Sequence, residues 1–155
     1  MFKNSFILLY ATLFFACSTN DADKSSSGKG LHASTASEII EVSKARVFES
    51  LPPHAKSMAF MKIRNQGMED VILVGVRASR SETGELYIAS GEKNRLGVGR
   101  MDSLVVPAGG VLALEEDSSY LNFFNLDKAW KRGEKVELTL LFAKQPEYRF
   151  EVEIE

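Results

Sequence analysis

Residues 148–155 read YRFEVEIE, in which Tyr148, Phe150, Val152 and Ile154 alternate with Arg149, Glu151, Glu153 and Glu155. A two-residue period over this length puts every apolar side chain on one face of an extended strand and every charge on the other. Such a strand needs a second apolar surface to cover it. Val136, Leu138, Leu140 and Phe142 repeat the pattern, and the connecting KQPE is short enough to make the two a hairpin. Upstream, Ala59, Met61 and Ile63 alternate with Phe60, Lys62 and Arg64 until Asn65-Gln66-Gly67 stops the run. DVILVGVRAS (70–79) and GELYIAS (84–90) read as two more strands, divided by the polar SRSET (79–83). Gly109–Glu115 follows the turn Pro107-Ala108-Gly109-Gly110, where glycines can take positive φ. No segment sustains a helical period, and AWKRG (129–133) is at most a turn. Roughly seven to nine short strands with regular turn signals imply an all-β chain folded as an antiparallel sandwich, because two half-buried sheets cover their apolar faces by packing together.

The N-terminus has a different character. MFKNSFILLYATLFFAC has one early charge, Lys3, then an apolar run from Phe6 to Ala16, then the chain's only cysteine, Cys17. That run is too short to span a bilayer and has the form of an export signal. Ala16 directly before Cys17 resembles a bacterial lipobox, which implies cleavage at Cys17 and lipidation of its thiol. With no second cysteine, a disulfide is excluded. From Ser18 to Ser37 the chain is small and polar, with almost nothing to bury, as expected of a flexible tether that includes His32. The expected organisation is a signal peptide at 1–16, a lipidated Cys17 and tether at 17–37, and one domain at 38–155. The expected location is the cell envelope, exported across the inner membrane and lipid-anchored on the periplasmic or outer surface. Without Lys3 the chain has 18 basic and 21 acidic side chains, a balance that gives no electrostatic case for nucleic acid.

Enzymatic chemistry finds little to work with. No His stands beside a Ser or Cys nucleophile, Glu115-Glu116-Asp117 reads as a solvated turn, and GEKNRLGVG (91–99) lacks the helix that follows a phosphate loop. The chain reads as a non-enzyme. Trp130, beside a tight turn, is expected to cover an end of the sandwich near the Val136 strand, partly buried.

One strand poses a question: SSYLNFFNL (118–126) sets Asn122 among aromatics. Asn122 is either a strand residue turned to solvent or the occupant of a position where related chains keep something more reactive. AFMKIRNQG (59–67), GELY (84–87), VPAGGVLAL (106–114) and SYLNFFNL with KRGEKVELTLLF (119–142) together resemble the periplasmic copper chaperones of the PCu(A)C family, from about Ile39 to Glu155. The resemblance implies a Greek-key, cupredoxin-like β-sandwich with an exposed Cu(I) site of imidazoles and thioethers, soft donors suited to that ion. At the family's ligand positions this chain has Tyr87 and Tyr120 in place of His, and Ala89 and Asn122 in place of Met. Met101 matches the remaining Met position, with a longer 88–97 hairpin and a shorter 102–105 segment than is usual. The resemblance thus makes Asn122 the occupant of a lost ligand position.

A neutral phenol, an amide and a methyl group offer Cu(I) little. His54, Met58 and Met101 are the residues from which a replacement site could be assembled, whereas Met61 reads as core filler and Met68 lies in a turn. Two functions follow. One is a copper-chaperone-like lipoprotein with weakened or lost Cu(I) binding, Cu(I) being the only cofactor implied and a membrane-bound copper enzyme its partner. The other is a metal-free module that uses the former copper-site surface to bind another envelope protein.

Overall fold

The computed structural model describes residues 39–50, 56–92 and 95–155, with the side chains of all but 90–92 and 95–98. The signal, Cys17, the tether, His32 and His54 lie outside the described residues. Ten strands lie within them: β1 (Ile40–Val47), β2 (Lys56–Asn65), β3 (Val71–Ala78), β4 (Ser81–Glu92), β5 (Arg95–Met101), β6 (Leu104–Val106), β7 (Val111–Leu114), β8 (Ser119–Leu126), β9 (Lys135–Phe142) and β10 (Tyr148–Glu153). The large sheet runs β1-β2-β8-β4-β5 with β7 also paired to β2; the small sheet runs β10-β9-β3-β6. Every ladder is antiparallel. The chain crosses between sheets at β2–β3, β3–β4, β5–β6, β6–β7 and β8–β9, so the all-β antiparallel sandwich expected from the alternation is the fold.

Alternation sorts the faces. Phe150, Val152 and Ile154 are buried while Arg149, Glu151 and Glu153 are exposed, and β9 supplies Val136, Leu138 and Leu140 to the same core. From the large sheet come Ala59, Met61, Ile63, Leu121 and Phe123, so Met61 is core filler as its spacing suggested. Each fully covered large side chain contributes about 1.5–3 kcal/mol of burial. All the described strands and the buried core lie between Ile40 and Glu155, a stretch long enough to bury a core of its own.

The turns at 65–67 and 107–110 serve this scaffold. Asn65, fully buried, donates from Nδ2 to the carbonyls of Glu69 (2.7 Å) and Val106 (3.1 Å) and accepts from Gly67 N–H (2.9 Å). The Asn65 N–H donates to Gly110 O (3.0 Å), and Gly109, at φ 62°, donates to Gly67 O (3.0 Å). The Asn-Gln-Gly and Pro-Ala-Gly-Gly turns therefore form one end of the sandwich. Gly84 is required by proximity, because a Cβ there would fall on the Val76 carbonyl where β4 crosses β3.

Three features depart from the sequence reading. SRSET is not a divider, since β4 already begins at Ser81 and pairs Ser81 with Leu126 and Thr83 with Phe124. β1, β5 and β6 are strands that simple alternation did not mark out. Trp130 is fully rather than partly buried: Ser50 clamps its backbone, donating to Trp130 O (3.0 Å) and accepting at Oγ from Trp130 N–H (2.8 Å), while its ring packs on Phe123 at 5.6 Å.

Candidate functional site

β8 lies between β4 and β2, and its register decides which side chains meet on the outer face. Tyr120 is opposite Tyr87, and Asn122 is opposite Glu85. The Ala89 N–H donates to Ser118 O (2.5 Å), which makes the pairs at two-residue steps along the ladder, Tyr87/Tyr120 and Glu85/Asn122, the hydrogen-bonded ones. Inward, Leu86, Leu121 and Phe123 join the core. Outward, Tyr87, Ala89, Tyr120 and Asn122 share one half-exposed face, so the four positions singled out by the sequence resemblance lie on adjacent strands.

The two phenol rings stack, 5.7 Å between centroids and 18° between planes. Tyr120 continues to Phe60 at 6.3 Å, Phe60 to Phe48 edge-on at 5.5 Å, and Tyr87 to Phe124 at 6.5 Å. The Arg46 guanidinium caps the Phe48 ring at 4.9 Å. Five rings thus form a continuous band across the outer face. The Tyr87 hydroxyl donates to Glu85 Oε2 (3.0 Å), and Arg100 pairs with Glu85 Oε1 (3.2 Å). The hydrogen bond to Glu85, then desolvation and the carboxylate's charge, hold the Tyr87 phenol above its ordinary value, against a smaller opposing effect of Arg100. The Tyr87 oxygen therefore stays protonated at neutral pH and serves as a donor.

Met101 does not join this group. Its register partner is Leu86, and it packs against the core, while Arg100 is the residue opposite Tyr87 and Val98 the one opposite Ala89. The thioether that does reach the outer face is Met58, opposite Asn122 and 42% exposed. Met58 O accepts from Phe48 N–H on the far side of β2, so Met58 and Asn122 form a close, non-hydrogen-bonded pair. Met58 and Met101 consequently lie on opposite faces of one sheet, and the replacement site built on both does not assemble. Met68 is almost wholly exposed in the turn after β2. Among the described residues, no group of three or more His, Cys, Asp or Glu is placed to hold a metal ion. Among the described residues the face offers Cu(I) one thioether, with two phenols, an amide and a methyl group nearby, and this set of donors does not fit the ion.

This antiparallel sandwich is the fold of solved PCuAC domains. The copper-bound PCuAC domain from PmoF2 superposes with a TM-score of 0.66 at 19% identity, covering 80% of this chain and 97% of that one. CuI-DR1885 from Deinococcus radiodurans gives 0.58 at 21% identity, covering 74% and 78%, and its apo form 0.59 at 20%, covering 94% and 96%. No curated protein sequence matches. The family model "Putative lipoprotein LpqE-like" matches residues 40–154, and the chain belongs to that family.

Proposed function

We propose that this protein is a lipid-anchored, copper-chaperone-like domain of the cell envelope that has lost tight Cu(I) binding and acts without catalysis. The observation that supports it best is that Tyr87, Ala89, Tyr120 and Asn122 fall on one face of the adjacent strands β4 and β8, with Tyr87 opposite Tyr120, while none provides a soft donor. Anchoring through Cys17 on the periplasmic or outer surface rests on the lipobox-like sequence and the polar tether after it. The test is reversion of Tyr87 and Tyr120 to His together with Ala89 and Asn122 to Met. Restored Cu(I) binding supports loss in place, with Met58 available as a fifth donor; a variant that folds yet binds no better contradicts it.

The stacked rings favour a second reading, a metal-free module that uses this face to contact another envelope protein. Amphipathic aromatics with polar tips, flanked by an exposed Met58, have the composition of an interface core. A membrane-bound copper enzyme is the partner under the first reading, and an envelope protein without copper under the second. Retention of the same envelope partner by wild type and by a Tyr87→Ala, Tyr120→Ala variant would contradict the second reading.

A further inference from the structure

The edges of the two sheets are not equally protected. β1 carries a register shift between Ser43 and Arg46, with Lys44 at φ 52°, and its end bridges to Ile154 beyond β10 through Val47. β6 and β7 are only three and four residues long. Two edges are regular. β10 has six residues paired without a shift and is joined to β1 just past its end by the Val47–Ile154 bridge. The seven residues of β5 pair one to one with β4, without a shift, and no described strand pairs with their other side. A regular, unbulged edge without proline is a template for a further strand.

The direction of its free backbone groups follows from its neighbour. Ala89 directs its N–H to Ser118 on the β8 side, so Ala89 and Val98 are a non-hydrogen-bonded pair of the β4–β5 ladder. The N–H and C=O of Val98 therefore point outward from the sheet edge, as do those of Leu96 and Arg100 two residues away. β5 reads RLGVGRM, nearly symmetric about Val98. Laid antiparallel against itself, it sets Val98 against the partner's Val98, Gly97 against the partner's Gly99, and Leu96 against the partner's Arg100. No arginine then faces an arginine, and the Arg100 charge is already matched by Glu85 in its own copy. All three outward-pointing residues find hydrogen-bonding partners at once, giving about six backbone bonds.

We propose that β5 is a self-association edge through which two copies join by antiparallel β5–β5 pairing centred on Val98. The two large sheets become one, with their β4 strands about 14 Å apart and both aromatic faces on a continuous surface. The interface is isologous and closes on itself, so it stops at a dimer. It uses no metal and does not depend on the copper reading.

Sedimentation equilibrium of the chain from residue 18 onward, at concentrations on the order of 100 μM, should show a dimer. Proline at 98 removes the two central donors while leaving the β4 ladder intact, so Val98→Pro should weaken dimerisation by at least about tenfold. Because Cys17 is the chain's only cysteine, Val98→Cys places a single thiol at the two-fold centre, within disulfide reach of its mate. It should oxidise to a covalent dimer much faster than Glu151→Cys on the exposed side of β10. A wild-type monomer, a dimer indifferent to Val98→Pro, or equal cross-linking of the two cysteine variants would each overturn the proposal.

Discussion

Replacing Asn65 by Ala should unfold the domain at much lower denaturant, although Asn65 is remote from the tyrosine pair. The substitution removes three hydrogen bonds at a site with no solvent exposure. Val106, whose carbonyl loses its Asn65 donor, is itself fully buried. Leaving that group unpaired costs about 1–3 kcal/mol, and the Gly67 N–H and Glu69 carbonyl, within reach of water, add about 0.5–1 kcal/mol each. The total is about 2–5 kcal/mol, which at a urea slope of about 1–3 kcal/mol/M lowers the midpoint by roughly 1–5 M. Urea unfolding followed by Trp130 fluorescence measures this, with an unchanged slope expected. Asn65→Asp keeps the acceptor for Gly67 but faces a carboxylate toward two carbonyls. Its folded pKa then lies above the unfolded value near 3.9, so that variant is penalised above the unfolded value and recovers stability as pH falls toward it. An Asn65→Ala midpoint corresponding to less than about 0.5 kcal/mol would refute the view that this residue ties the end of the sandwich together.

Gly84→Ala should destabilise by about 1–3 kcal/mol or more in a thermal melt, since its Cβ meets the Val76 carbonyl rather than a movable side chain. Iodide should barely quench Trp130, which is 1% exposed; strong quenching would place it at the surface. In an alkaline titration at the phenolate absorbance, Tyr87 should ionise late, and Glu85→Gln should bring it down by removing the hydrogen-bonded carboxylate. Because its folded pKa is raised, the stability linked to Tyr87 is complete below the ordinary value near 10 and is lost as pH rises through the raised one. Cys17→Ser should move the protein from the detergent phase to the aqueous phase, and continued partitioning with membrane would refute the anchor.

The fold was legible wherever alternation was unbroken. β10 carries buried and exposed residues in succession, and β2 and β9 keep the same period through most of their length, interrupted where Phe60 and Thr139 are buried as well. β1 was not legible because Lys44 at φ 52° and the register shift after Ser43 break the period. Polar residues at 81–83 suggested a loop, but they lengthen β4 along β8, where register rather than polarity decides. Trp130 was underestimated because a loop aromatic is usually read as surface, whereas the Ser50 clamp that draws it inward is 80 residues away in sequence. The candidate site shows the same division. Tyr87, Ala89, Tyr120 and Asn122 kept their common face because each lies two residues from another on a regular strand. Met101 was misplaced by a single residue: one step along β5 separates it from Arg100, and such a step exchanges the outer face for the core.

The proposed loss of tight Cu(I) binding is tested most directly by anaerobic competition of the wild-type chain, from residue 18 onward, against a colorimetric Cu(I) chelator. Met58 is the one described thioether on the face of the Tyr87–Tyr120 pair, and the Tyr87 phenol stays protonated near neutrality, so the chelator should take essentially all the copper. Retention of one equivalent with sub-picomolar affinity would contradict the account.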